Sequence, residues 1–508
     1  MNEILHFDRK PARGMRLVVD INAIDPQGMG IGPLPATLGP QKDLRRFNVK
    51  ARHTVPGDRV AVAVRSTRKN TIEADVVEWL VKSTARVAPR CEHFGDRWKE
   101  GQGCGGCSLL MMSYEAQVSE KRKHVQAMLD SRKLGLEVLP ALAAPEPWFY
   151  RNKMEFSFGH TPEGRYGLGL HPYGFKHDVL ALRFCHLQSE ASNLLVVFCR
   201  ELAEERGIAA YLPSQNKGFL RSLTIREGRN THQRMLIFNT TSDEFTSMSE
   251  EPKLATTVME SLREAIVDFA KRSGIEVTSI IWTRQIARKG HPTTFETHVL
   301  WGTETLFEQL NVQGAPNPLD FEIHPRAFFQ THTAQAETLY NTLVRRIRER
   351  VGSNAKVIDL YCGTGTIALC IAPFVESVVG YELLDEAVEN AKANALLNHL
   401  DNVDFIAGDV GKTLVAQPGE RTSVDLVVVD PPRSGLSEEA FRALLALSPP
   451  SILYVSCNPK SLVRDLVRFR DEGYRGDCVQ PVDMFPHTAH MESVVMLTAY
   501  AEPVGLAE

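Results

Sequence analysis

The chain has 508 residues, enough for two to four domains, and 43% of them are hydrophobic against 24% charged, an ordinary globular balance that excludes a mainly disordered protein. No apolar run reaches the roughly 18–20 residues of a membrane-spanning helix, and the opening MNEILHFDRKPARGM lacks the apolar segment of a secretory signal. Nine cysteines are too sparse for a disulfide scaffold, so the expected setting is a reducing, cytoplasmic one without membrane contact.

The net charge of −4 divides unevenly: residues 1–90 carry 16 Lys/Arg against 9 Asp/Glu, and the remainder 42 against 53. A basic module on an acidic body suits a nucleic-acid partner. Within that module MRLVVDINAI, FNVKARHT, DRVAVAVRST and TIEADVVEWLV read as strands, with VPGD as a turn between two of them. Short strands with Gly/Pro turns predict a small closed barrel of the OB type over residues 1–88, a fold that binds single-stranded nucleic acid. Gly28, Gly30, Gly32 and Gly39 show no phosphate-binding spacing and read as turn residues.

A cysteine-bearing segment follows, from Cys91 to Cys107. After it, SYEAQVSEKRKHVQAMLDS reads as a helix with Lys121, Arg122 and Lys123 exposed. Residues 145–330 mix strand-like stretches (KMEFSF, LRSLTIREG, RMLIFNT) with the helical TVMESLREAIVDFAKRSG, which together predict an α+β central domain over 89–325. From about residue 331 strand and helix alternate regularly. The strands are KVIDL, SVVGYE, VDFIAGD, DLVVVD and SILYVSC, with CVQPVDM and SVVMLTAY closing the chain. This spacing predicts an α/β domain over 326–508, a Rossmann-like parallel sheet with helices on both faces.

Four motifs carry chemistry. In VIDLYCGTGTIAL, a strand runs into a turn where Gly363 and Gly365 let backbone approach a ligand, and Glu382 ends the next strand where a carboxylate can bind ribose hydroxyls. The turn has neither the dinucleotide nor the nucleoside-triphosphate pattern, so S-adenosylmethionine is the ligand that fits. In LVVVDPPRSGL, Asp430 sits at a strand's carboxyl end; Arg433 stands where an aromatic residue would have signalled nitrogen methylation. In ILYVSCNPKSL, Cys457 ends a strand at the same rim, and Asn458–Pro459 stop the strand there. In VDMFPHTAHMESVVML, Glu492 stands just before the last strand, within reach of that rim, with His487 and His490 in the preceding loop. Cys199, Cys362, Cys370 and Cys478 read as buried thiols.

A thiol and a separate base suit one problem. Uracil C5 is a poor nucleophile until a thiolate adds to C6. C5 can then attack a methyl sulfonium, after which a base removes the surplus C5 proton and the thiolate leaves. Two rival readings, methylation of a nitrogen and a catalytically inert RNA-binding factor, leave Cys457 without a role.

DLYCGTGTIAL, DPPRSGL, YVSCNP and DMFPHTAHME, in this order, resemble the TrmA/RlmD-type RNA uracil-C5 methyltransferases. The resemblance implies a C-terminal class I methyltransferase domain, with Cys457 as the nucleophile and Glu492 as the base. It places the cofactor residues at Gln330, Tyr361, Thr366, Glu382 and Asp430. Gln330 lies in AFFQTHTAQAETLY, where His332 stands in place of the family's usual Asn. The barrel resembles the family's TRAM module through DINAIDPQGMGIG and HTVPGDRVAVAV. One branch of the family, closest to RlmD, holds a [4Fe–4S] cluster on four cysteines. Those fall here on Cys91, Cys104, Cys107 and Cys185, with an insertion between the first two. Barrel and cluster together imply a loop or single-stranded uridine of 23S ribosomal RNA as substrate, transfer RNA being the alternative, and a monomeric enzyme.

Overall fold

The computed structural model describes residues 5–500 apart from 97–98, 242–243, 247–251, 288–289 and 417–423. The N-terminal sheet has seven strands, Leu5–Phe7, Arg16–Asp20, Ala23–Ile24, Gly30–Leu38, Asp43–Ala51, Arg59–Arg68 and Thr71–Val81. Arg16–Asp20 pairs with Arg59–Arg68, and the continuing Ala23–Ile24 pairs with Gly30–Leu38, so one stretch of chain joins both ends of the sheet and closes it. Phe47, Val49, Val60, Val62 and Ile72 fill the interior with no exposed surface.

One strand differs from the sequence reading. Gly30 and Gly32 do not sit in a turn but inside Gly30–Leu38. A Cβ at Gly32 would lie 2.4 Å from the Asp20 carbonyl oxygen, and one at Gly30 would lie 2.0 Å from Thr54 Oγ1. The glycines are there because chain crosses at that corner of the barrel. Pro33 and Pro35 fit the same strand because Leu5–Phe7 pairs only with Ala36, Thr37 and Leu38, leaving the prolines clear of that ladder.

The central sheet also has seven strands, including Lys153–His160, Leu220–Glu227, Arg234–Thr240 and Ser279–Ile286. Helices Glu190–Glu205 and Ala255–Arg272 cover one face, burying Leu195, Cys199, Leu262 and Ile266. The other face contributes Met235, Ile237 and Ile281 to a core shared with the C-terminal sheet.

In the C-terminal sheet, β1 (Lys356–Leu360), β2 (Ser377–Glu382), β3 (Val403–Ala407), β4 (Leu426–Val429), β5 (Ser451–Ser456), β6 (Tyr474–Val482) and β7 (Glu492–Ala499) lie in the order β3-β2-β1-β4-β5-β7-β6. The first five are parallel and β7 is antiparallel to both neighbours. The order reverses direction between β1 and β4, and the crevice at their carboxyl ends is where such sheets bind ligands. Val427, Val428, Leu453 and Val455 are fully buried, as strands covered on both faces must be.

Helix Tyr114–Ser131 leaves the cysteine segment and packs on helix Pro459–Asp471. The following Glu137–Val138 pairs in parallel with Cys478–Val479 of β6. Lys121 is not exposed as the sequence reading has it. It is buried and pairs with Asp483 at 2.6 Å, while Arg122 is half-buried and donates to the Val138 carbonyl; Lys123 alone is exposed. A helix clamped against a second domain has little free face, and a lysine there is buried with its counter-ion. Cys478 is likewise only half-buried, and its sulfur accepts a hydrogen bond from Arg346 at 3.0 Å. A small core of Ile24, Val55, Leu109, Met111 and Met112, with Ala489 against it, binds the barrel, the cysteine segment and the C-terminal domain together. Among the described residues no helix is long and apolar enough to cross a membrane.

Candidate active site

Two neighbouring regions meet at the carboxyl ends of β1, β4 and β5. In the first, β1 runs through Tyr361 into a turn ending at Gly365, whose φ of +77° starts helix Thr366–Ile371. Any side chain at Gly365 would be strained there, and its Cβ would meet Phe405 at 2.6 Å. Glu382, at the end of β2, accepts from the Gly363 and Leu384 N–H groups at 3.1 Å each, which fixes its carboxylate against the turn. The backbone N–H of Asp430 donates to the Leu360 carbonyl. Thr364 donates to the Phe328 carbonyl and lies 3.3 Å from the Thr366 hydroxyl, which draws the 328–330 segment and its buried Gln330 to the same turn. Tyr361, Thr366, Glu382, Asp430 and Gln330 therefore lie around one turn at the carboxyl ends of β1, β2 and β4. Phe328, Leu383 and Leu384, next in sequence to residues of this turn, stand exposed, apolar surface suited to a flat heterocycle. Asp359 beneath the turn is fully buried; burial and the nearby Asp430 hold its carboxyl well above the usual range, and its Oδ1 has no hydrogen-bond partner among the described residues. This combination of acid, glycine turn and apolar surface fits an adenosyl sulfonium.

The ring of His332 caps helix Thr333–Arg350 by accepting from the Gln335 N–H. It stacks on Tyr150 with centroids 4.5 Å apart, and burial lowers its pKa to about 3.

In the second region, Ser456 of β5 pairs with Ser493 of β7, so Cys457 and Glu492 come off adjacent strands side by side. Burial, then Asp430, pushes Glu492 up to about 8; burial, then Glu492 and Asp430, pushes the Cys457 thiol up to about 11. Asp430 itself is raised to about 6 by burial. Arg433 opposes the shifts at both Cys457 and Glu492. Its guanidinium lies 3.0 Å from His490 Nδ1, and its carbonyl accepts from Asn458 Nδ2 and Ser461 Oγ. Asn458 also caps helix Pro459–Asp471 by accepting from the Lys460 N–H. The sequence reading used Arg433 only to exclude nitrogen methylation; its place beside the thiol is what that reading missed, and the only signal was its position directly after Pro432.

Cys457 opens into a cavity of about 550 Å³. Its walls come from the barrel turn Gln27–Met29 with Arg52 and His53, from Gly105–Ser108 of the cysteine segment, from Arg151 and Tyr173, and from Arg433, Lys460 and His490. The loop that carries Cys107 thus forms one wall.

On the far side of that loop Cys91, Cys104, Cys107 and Cys185 line a single small apolar cavity with Phe94, Trp148 and Leu182. Burial raises all four thiols, with neighbouring thiols adding to the rise at Cys104, Cys107 and Cys185. Backbone N–H groups point at three of the sulfurs: Gly106 at Cys104, His93 and Phe94 at Cys91, Leu187 and Gln188 at Cys185. Among the described residues no three His, Cys, Asp or Glu side chains converge as the ligands of a single ion do. Trp148, from the wall of this cavity, stacks on the buried His487 ring at 3.9 Å.

A family model described as tRNA (Uracil-5-)-methyltransferase matches residues 293–500. An uncharacterized RNA methyltransferase of Caldanaerobacter subterraneus is 34% identical over 96% of this chain and 99% of its own. One from Protochlamydia amoebophila is 34% identical over 88% and 98%. Among solved structures, the Pyrococcus abyssi tRNA (uracil-54, C5)-methyltransferase in complex with S-adenosyl-L-homocysteine superposes with a TM-score of 0.67 at 26% identity, over 95% of this chain and all of that one. The chain belongs to the tRNA (uracil-5-)-methyltransferase family of S-adenosylmethionine-dependent RNA uracil-C5 methyltransferases.

Proposed function

We propose that the enzyme methylates a uridine of 23S ribosomal RNA at C5, using Cys457 as nucleophile and Glu492 as base. The observation that carries this is the β5–β7 register, which sets a thiol and a buried carboxylate side by side at the rim of the donor crevice. The target nucleotide leaves its stack and enters the cavity, which favours loops over duplex. Cys457 loses its proton to water and its sulfur bonds to C6, which moves the C5–C6 electron pair onto C5 and its adjoining carbonyl and makes C5 nucleophilic. The new C5–CH3 bond takes its methyl group from the sulfonium substrate held by Gln330, Tyr361, Thr366, Glu382 and Asp430, whose thioether leaves. Glu492 then takes the proton from C5, and the C6–S bond breaks to restore the ring's double bond. Arg433 supplies positive charge where the thiolate forms.

The N-terminal barrel is assigned as a TRAM-type RNA-binding module, followed by the central domain and, from residue 326, the catalytic domain. Cys91, Cys104, Cys107 and Cys185 are assigned to a [4Fe–4S] cluster. Support comes from their shared apolar cavity and from the N–H groups aimed at the sulfurs; a cluster takes its thiolates at separate iron atoms rather than at one point. Methyl transfer moves no net electrons, so its part is structural or RNA-positioning.

The cysteine set favours ribosomal RNA. A second reading, transfer RNA, is favoured by the Pyrococcus tRNA enzyme, which spans barrel and all. The test incubates purified enzyme and labelled donor with separate 23S and transfer-RNA transcripts and maps 5-methyluridine. Label in 23S RNA alone supports the first reading, and label in transfer RNA alone replaces it with the second. Glu492→Gln is expected to accumulate a protein–RNA adduct; normal turnover would remove Glu492 from the base role.

A further inference from the structure

The cavity around Cys457 is larger than a uracil ring needs, and its charge is one-sided. Arg52, Arg151, Arg433 and Lys460 line it together with three histidines, and among the described residues no Asp or Glu does. Glu492 and Asp430 stand behind the rim rather than in this wall. The basic side chains come from different places: Arg52 from the barrel, Arg151 from the start of the central sheet, Arg433 from the loop after β4 and Lys460 from the start of helix Pro459–Asp471.

The frame that holds them is rigid. Asp25 is buried, accepts from the Gln27 and Met29 N–H groups at 2.8 and 2.9 Å, and pairs with Lys50 at 2.9 Å, which fixes the barrel turn facing the cavity. That turn abuts the cysteine loop so closely that a Cβ at Gly28 would fall 2.3 Å from Ser108 Oγ. Arg52 lies over the Tyr173 ring at 3.7 Å from the centroid, so its guanidinium is held at the wall.

We infer that this basic wall is a subsite for a backbone phosphate next to the target uridine, with Arg151 and Lys460 as its donors. It deepens the reading given under Proposed function and rests on it. The nucleotide is held by its anionic linkage on the barrel side while the base meets Cys457 on the other, so the barrel contributes to the reaction site itself and not only to distant RNA contacts. Phosphate recognition carries no sequence information, so the subsite sets the register of the flipped nucleotide and leaves sequence choice to other contacts.

The test uses the full-length protein and a fluorescent nine-nucleotide RNA with one central uridine among adenosines. It is made with ordinary linkages, or with an uncharged methylphosphonate on the 5′ or the 3′ side of the uridine. Neutralising one of these two linkages is expected to weaken binding about tenfold, and less than twofold in Lys460→Gln, whose exposed side chain makes it a safe substitution. The Lys460→Gln protein is also expected to show a shallower dependence of log K on log salt, by about 0.7, because one phosphate of a single strand is no longer neutralised. Wild-type binding within twofold for all three RNAs would overturn the subsite. Absence of 5-methyluridine on the ordinary RNA, with the linkage effect intact, would instead count against the proposed reaction.

Discussion

At the scale of single residues, the proposed chemistry turns on proton loss from a crowded acidic corner. Glu492, raised to about 8, and the Cys457 thiol, raised to about 11, both hold protons at neutral pH. A group with a raised pKa reaches its ionised form only as pH climbs, so kcat/KM for RNA should increase from pH 6.5 through about 8 and not level off in the ordinary carboxylate range. Arg433 lowers both values, so Arg433→Gln should move the rise to higher pH and depress the rate most at pH 7. A profile flat from pH 6 to 9 would show that neither group limits the reaction. The neighbouring positions of Cys457 and Glu492 were legible in the sequence because a strand-terminating Asn-Pro and a final strand fix them. The influence of Arg433 was not, since it depends on Asn458 and Ser461 holding its carbonyl from a different loop.

Among elements, the loop between β6 and β7 depends on one buried node. Asp483 accepts from Lys121 at 2.6 Å and from the Tyr114 hydroxyl at 2.9 Å, while its carbonyl accepts from Gln335 at 3.0 Å. Two helices, Tyr114–Ser131 and Thr333–Arg350, are tied there to the segment that leads into Glu492. Asp483→Ala leaves the Lys121 ammonium buried without its counter-ion, with only the Phe485 carbonyl still accepting from it, and should cost about 3–5 kcal/mol, read as a drop in the urea midpoint at unchanged slope. An effect below about 1 kcal/mol would mean that Lys121 finds water instead. The strand–helix alternation of the C-terminal half was readable because apolar runs and periodic helices are local signals. The node was not, because a run of three basic residues on a helix looks solvated until the surface it lies against is known. Strand Gly30–Leu38 was hidden for the opposite reason: its glycines and prolines carry turn statistics, and only the crossing chain explains them.

For the whole molecule, the cavity around Cys457 exists only because distant stretches converge: residues 27–29 of the barrel, 105–108 of the cysteine segment, and 457–460 after β5. No spacing in the sequence announces this. The Cys104–Cys107 loop serves two cavities at once, and the Ser108 and Leu109 N–H groups following it both donate to the His487 carbonyl at 3.0 Å. Loss of the group proposed for the four cysteines should therefore loosen the wall of the reaction cavity. Anaerobically purified protein should be brown and contain about four iron atoms per chain if the [4Fe–4S] assignment holds. Cys104→Ser should lower iron content and weaken RNA binding while donor binding by calorimetry stays within a few-fold. Colourless protein holding zinc would replace the cluster assignment, and donor binding abolished together with RNA binding would mean that the two cavities are not separable.

The central claim is a transient bond between the Cys457 sulfur and C6 of a uracil, and 5-fluorouridine tests it directly. Fluorine at C5 cannot be removed as a proton is, so an enzyme working through this adduct stalls on it after methyl transfer. Incubation with S-adenosylmethionine and 5-fluorouridine-substituted RNA should give a species resistant to denaturation, and mass spectrometry should place a methylated fluoropyrimidine on the peptide containing Cys457. Methylation of ordinary RNA by Cys457→Ala, with no adduct in the wild type, would contradict the account.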